Sequence, residues 1–224
     1  MKKTLFAILL AGIVMLPWLG GCTSSVNIIH GAGSVVSRDF DVANFTAITI
    51  GGSHEVIYRQ SENSSVTVTM HENLFEHLEV EVQGNTLRVG FARGVGINMG
   101  SGVSRVYVYT PYLNEATLSG SVRAVDWDAI YADSFTIAIS GSGSGNFHGN
   151  VDSFNATISG SGRVLAEELQ TKDASIRVSG SGNVAIAVSD NLDVNISGSG
   201  RVNYIGNPAV TSSISGSGRI NRID

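Results

Sequence analysis

The tetrapeptide Ser140-Gly141-Ser142-Gly143 recurs as Ser159–Gly162, Ser179–Gly182, Ser197–Gly200 and Ser215–Gly218, after a degenerate copy, Ser119-Gly120-Ser121-Val122. The first serines stand 21, 19, 20, 18 and 18 residues apart. Self-similarity at a nearly fixed period marks a repeat architecture, in which each unit packs mainly on its neighbours.

What is repeated emerges by aligning on the first serine. One residue before it stand Leu118, Ile139, Ile158, Val178, Ile196 and Ile214. Three before stand Ala116, Ile137, Ala156, Ile176, Val194 and Ser212, and five before stand Phe135, Phe154, Ala174, Leu192 and Val210. Five residues after it the apolar side chain returns as Ala124, Val164, Val184, Val202 and Ile220, with Gly145 breaking the column. The positions between are small and polar: Thr136, Asn155, Thr157, Ser175, Arg177, Asp193 and Asn195. Each unit is therefore a strand with one apolar face, a glycine corner, and a second such strand.

One coil cannot bury its own apolar stripe. Stacking coils at the inter-strand spacing of ~4.8 Å buries it continuously and pairs the backbone in parallel ladders. The expected fold is all-β: a parallel β-helix of 18–21-residue coils, right-handed by the rule for parallel crossovers, preceded by a less regular strand region. A β-sandwich is the alternative. The corner glycines are Gly141, Gly143, Gly160, Gly162, Gly180, Gly182, Gly198, Gly200, Gly216 and Gly218, where backbone angles closed to other residues are open. Six units would span about 25–30 Å.

Composition agrees. The 224 residues are 42% hydrophobic and only 15% charged, with 27 glycines against 3 prolines, which suits strands joined by tight turns. The formal charge is −5 and the basic residues are scattered, so nucleic acid is excluded as a partner: phosphate neutralisation needs clustered Lys and Arg.

Upstream, residues 35–113 alternate apolar and polar without a clean repeat. Strands are expected at Phe45–Ile50, His54–Tyr58, Val66–Met70, Leu78–Val82, Leu87–Val89 and Val106–Tyr109. Gly51-Gly52 is expected as a turn or bulge, Gln83-Gly84-Asn85 as a hairpin connection, and Glu72–His77 as at most a helical turn. Gly90–Ser104 reads as a long loop exposing Ile97 and Met99.

Residues 1–21 form a secretory leader: Lys2-Lys3, an apolar run Leu5–Leu16, then Leu19-Gly20-Gly21 before Cys22. The ending resembles the bacterial lipobox, which implies acylation of Cys22 as the mature N-terminus. Cys22 is the only cysteine, so it has no intramolecular disulfide partner. Several acyl chains hold a protein stably on a membrane where one does not. Thr23, in place of aspartate, implies the outer membrane in a Gram-negative cell by resemblance to sorted lipoproteins. Residues 22–34 are expected to be a flexible tether.

The ordered set Asp39-Phe40, Phe45-Thr46-Ala47-Ile48, Glu72-Asn73-Leu74, Asn85-Thr86-Leu87, the Ser-Gly-Ser-Gly run and Tyr204-Ile205-Gly206-Asn207-Pro208 resembles the head, or GIN, domain of autotransporter adhesins. The resemblance covers residues 35–220 and implies a β-helical fold at the cell envelope. It supplies no catalytic or binding residues.

Candidate chemistry is thin. His71-Glu72 opens like a zinc-protease helix, but Phe75 stands where the second histidine belongs, and His77 is off its face. Gly141–Gly145 lacks the Lys-Ser/Thr of a phosphate loop. Calcium β-rolls place an aspartate after the glycine corner, whereas here Arg163, Asn183, Arg201 and Arg219 follow. Asp126 and Asp128 flank Trp127, and a β-helical sugar hydrolase would need such a pair across a cleft. On one strand they stand too near and parallel, so a solvated edge is expected. No Ser/His/Asp or Cys/His constellation follows from spacing, and the Asn-x-Ser/Thr sites at Asn44, Asn63, Asn155 and Asn195 read as strand composition.

The sequence thus leads to a lipid-anchored envelope protein with an adhesin-like or scaffold surface: the flat Ser/Thr/Asn-rich face together with the Gly90–Ser104 loop. No cofactor, metal or catalytic residue is expected. The partners would be a membrane, through the anchor, and a surface glycan or protein. A polysaccharide-acting enzyme using Asp126 and Asp128, and a purely structural envelope protein, are the alternatives.

Overall fold

The computed structural model describes residues 27–100, 102 and 104–223; Cys22 and the expected leader lie outside them. The chain forms a β-solenoid of about five turns, with parallel bridges about 20 residues apart. The strands Glu115–Gly120, Ile130–Gly141, Ser144–Gly160, Arg163–Gly180, Asn183–Gly198 and Ala209–Gly216 stack in parallel, and the stretch of each that runs up to its last glycine forms the first face. Their register aligns Ser119, Ser140, Ser159, Ser179, Ser197 and Ser215 in one column and the next glycines in another.

The apolar columns face inward. Leu118, Ile137, Ile139, Phe154, Ile158, Ile176, Val194 and Ile196 are buried, as are Val164, Val184 and Val202 across the corner. Each such aliphatic side chain contributes about 1.5–3 kcal/mol relative to an exposed one. Gly145 breaks its column because the buried Phe147 ring fills that space, and a Cβ there would strike the ring. Phe147 in turn meets Trp127 edge-on at 5.1 Å and tilts against Phe135 at 5.5 Å.

The irregular half holds two further rungs. Ala47–Gly52 pairs in parallel with Glu115–Gly120, so Gly51-Gly52 is no simple turn but a corner in register with Ser119-Gly120. Glu55–Gln60 continues on the second face beneath Arg123–Trp127. One rung lower, Thr86–Phe91 lies under Ala47–Gly52 and Arg105–Thr110 under Glu55–Gln60. After Gln60 the chain drops to this lowest rung, and at Glu115 it returns to stack above Ala47–Gly52. In between, antiparallel strands Val35–Phe40, Ser65–His71 and Leu78–Gln83 close that end. A 3-10 turn, Glu72–His77, buries Leu74 and Phe75 there, and Arg38 lies 4.4 Å over the Phe75 ring. The hairpin turn at Gly84 has φ +62°.

Two expectations change. The expected loop Gly90–Ser104 is not one long loop: Gly90 and Phe91 end the strand Thr86–Phe91, Val95–Asn98 is a further strand, and Ile97 and Met99 pack partly buried on the core. Residues 27–33, expected within the tether, are docked. Asn27–His30 pairs in parallel with Val95–Asn98. The Ala32 N–H donates to Asn73 Oδ1 at 2.8 Å, and Asn73 Nδ2 donates to the His30 carbonyl at 2.8 Å. The reason is steric: Gly31 and Gly102 leave room for the His71 ring, which a Cβ would meet at 2.6 and 2.5 Å.

Candidate functional site

The corner comes first because the sequence singles it out. Its two glycines serve different ends. Gly141, Gly160, Gly180, Gly198 and Gly216 have φ between +112° and +124°. A Cβ on Gly180 would also lie 2.5 Å from the Gly160 carbonyl oxygen. Gly143, Gly162, Gly182, Gly200 and Gly218 have no such angle; they are small because a rung below presses on them. At Gly182 a Cβ would stand 2.6 Å from Ile158 Cγ2. Backbone bonds ladder the corner: the Ser161 N–H donates to Gly141 O at 2.9 Å and the Arg163 N–H to Gly143 O at 2.9 Å. With its amides already paired, this corner is not an open cradle for phosphate.

In the lower rungs the second-glycine position is filled. Val122, His54 and Ser104 occupy it, all buried. His54 Nδ1 lies 2.7 Å from Ser104 Oγ, and the imidazole stacks on Phe91 at 5.4 Å. Burial lowers the His54 pKa to about 4, partly offset by the Gly51 backbone carbonyl, so the ring is neutral. Spacing alone did not bring this Ser–His pair together. It lacks a carboxylate orienter, since Glu55 is held by Arg105 Nε at 3.0 Å and Arg123 Nη2 at 2.5 Å. Both members are enclosed, so the pair plugs the corner.

Asp126 and Asp128 share one cation. Asp126 Oδ2 accepts from Arg59 Nη2, and Asp128 Oδ1 lies 3.6 Å from Arg59 Nη1. Asp128 Oδ2 also accepts the Gln60 N–H at 2.9 Å. The Arg59 hydrogen bond holds the Asp126 carboxyl below its ordinary pKa. A bulge explains how both acids face out. Ala124 pairs with Val56 and Asp126 with Ile57, leaving Val125 as the extra residue. Trp127 is fully packed inward, its Nε1 donating to Val56 O at 3.1 Å. No cleft separates these carboxylates; an arginine does.

Among the described residues no group of three or more His, Cys, Asp and Glu side chains is placed to hold a metal ion. His71 Nδ1 instead lies 3.1 Å from the Gly33 carbonyl.

The remaining features are surfaces. On the first face Thr136, Asn155, Ser175, Asp193 and Thr211 form one outward row, one residue per rung. On the third face Tyr131, Asn150 and Gln170 are exposed in register. They run beside an open groove of about 430 Å³ lined by Gln170, Thr171, Lys172, Val188 and Asn207. That row escaped sequence reasoning, although Asn150 and Gln170 sit one period apart. A second hollow, of about 350 Å³, lies between the Gly51-Gly52 corner and Val95, Ile97 and Met99.

Comparisons with known proteins give the lineage. A putative adhesin from Bacteroides fragilis is 20% identical and superposes with a TM-score of 0.69, over 87% of this chain and 100% of that one. A putative lipid binding protein from Parabacteroides distasonis (24% identity, TM-score 0.55) and a putative adhesin from Parabacteroides merdae (21%, 0.55) each match over 88% of this chain and all of theirs. At these identities the likeness shows a shared fold. No curated protein matches. The family model described as "putative auto-transporter adhesin, head GIN domain" matches residues 44–208. That span runs from the first rung through the groove-lining Asn207, and the chain belongs to this family.

Proposed function

We propose that this chain is an adhesin-like surface protein of the bacterial envelope, tethered by acylated Cys22, binding a surface glycan or protein partner without catalysis. In a Gram-negative cell, Thr23 assigns it to the outer membrane. The observation that carries the reading is the rowed first face, where Thr136, Asn155, Ser175, Asp193 and Thr211 repeat hydrogen-bonding groups at one-rung spacing. Such rows engage extended partners by many weak contacts. Family membership supports the same reading. Asp126 and Asp128, bound up with Arg59, are arranged as structural acids.

A glycan array and a reducing-sugar assay on the full chain test the proposal together. The expected result is saturable array binding with no sugar released. Release of reducing sugar, abolished by Asp126→Asn, would instead establish the enzyme. The anchor is tested separately by Cys22→Ala, which should move the protein out of the membrane fraction. Unchanged fractionation and migration would remove the lipid from the account.

A further inference from the structure

The column that follows the corner is rich in arginine. From the capped end upward it reads Arg105, Glu55, Arg123, Ser144, Arg163, Asn183, Arg201 and Arg219. Its lower part is ion-paired within the fold, since Glu55 takes both Arg105 and Arg123. The upper part is not. Arg163, Arg201 and Arg219 are exposed and have no carboxylate partner among the described residues. At a rung spacing of ~4.8 Å, Arg219 stands one rung from Arg201, and Arg163 two rungs below it. Arg201 and Arg219 stand well inside a Debye length of about 8–10 Å and Arg163 at its edge from Arg201, so each guanidinium acts together with its neighbour on a ligand lying along the stripe.

Their surroundings favour an anion. Exposed Ser161, Ser199 and Ser217 stand two residues ahead of the three arginines. Two residues beyond, Asn203 and Asn221 share a hydrogen bond of 3.1 Å, and Arg222 donates to Asn207 Oδ1 at 3.2 Å. Glu167 and Glu168 lie past Leu165, where the register with the next coil shifts. Thus a chain of net charge −5 carries a line of unneutralised cations with hydroxyl and amide donors beside it.

We infer that this stripe binds a linear anionic glycan, one bearing carboxylate or sulfate groups. An extended polysaccharide repeats at about the length of one rung, so anionic sugars on adjacent or alternate units meet Arg163, Arg201 and Arg219 in turn. Guanidinium forks pair with carboxylate and sulfate by parallel hydrogen bonds. A single-stranded nucleic acid is the poorer fit. It needs aromatic platforms for its bases, and the outward column beside the stripe holds Asn146, Leu165, Ala185, Asn203 and Asn221.

This inference rests on the adhesin-like reading and names its ligand class, yet the two can fail separately. An array positive for other glycans with heparin blank removes the stripe and leaves the adhesin reading standing. The test measures binding of the full chain to heparin, to uncharged dextran and to a single-stranded oligonucleotide across a salt series. Heparin should bind at low salt and be released by high salt, with dextran blank and the oligonucleotide weaker. The triple variant Arg163→Gln, Arg201→Gln, Arg219→Gln should lose about tenfold or more in heparin affinity and flatten the salt slope. Its urea midpoint should be unchanged. A control removing the same charge elsewhere (Arg38→Gln, Arg88→Gln, Arg93→Gln) should stay within about twofold of wild type. Equal losses in both triples, an oligonucleotide bound as tightly as heparin, or no heparin binding at low salt would each overturn the inference.

Discussion

Gly180 and Gly182 are two residues apart in one motif, yet they are glycine for unrelated reasons, and mutation can separate them. Gly180 has φ +117° against a backbone oxygen, so Gly180→Ala should lower the urea midpoint by about 1–3 kcal/mol of strain with no side-chain remedy. Gly182→Ala overpacks against Ile158 Cγ2, also by about 1–3 kcal/mol. Measured in an Ile158→Ala background, the Gly182→Ala loss should shrink and the Gly180→Ala loss should not. Equal shrinkage of both would contradict the geometry. His54 offers a pH test. Its pKa is about 4 folded and 6.5 unfolded, so the folded state binds fewer protons between those values. Its contribution is complete above pH 6.5, falls as pH drops toward 4, and levels off below, about 3 kcal/mol in all. Subtracting the urea-midpoint profile of His54→Gln from that of wild type should isolate this loss. Identical declines in the two proteins would show that His54 does not titrate this way.

Element by element, the two ends of the stack are built differently. The lower end is sealed by antiparallel strands and the buried Leu74, whereas Val210 and Ile214 on the last rung are 41% and 43% exposed. Leu74→Ala should cost about 2–5 kcal/mol, and Val210→Ala within about 0.5 kcal/mol of nothing, both read as urea midpoints. A large loss at Val210 would mean that the last rung is covered in solution. Legibility in the sequence follows the same division. The upper coils were plain because glycine corners and apolar columns recur within 18–21 residues. The lowest rungs were hidden because the capping excursion sets Glu55 and its stacking partner Arg123 apart by 68 positions. Their corner also reads Gly51-Gly52-Ser53-His54, with a histidine where later rungs need glycine. Alternation marked Val66–Met70 and Leu78–Val82 as strands, but a period of two carries no information on whether the partner runs parallel or antiparallel. Asp126 and Asp128 were visible as a pair; Arg59 was not, because only the fold brings it across 67 residues.

For the whole molecule, the surfaces proposed to bind are sums over rungs, so the number of rungs should be adjustable. Each coil touches chiefly its neighbours, and stability in such arrays is roughly a sum of coil and interface terms. Removing residues 161–180 joins Gly160 to Ser181 and deletes one period, because Gly160 and Gly180 are register partners. Removing only residues 161–170 joins a first corner to the strand of the third face and breaks every column above it. Urea unfolding followed by circular dichroism compares the two. The full-period deletion should keep a β spectrum and one cooperative transition at a modestly lower midpoint, and the half-period deletion should lose both. Collapse of the full-period deletion, or equal tolerance of the two, would contradict the claim that a single registered coil is the unit from which this protein is built.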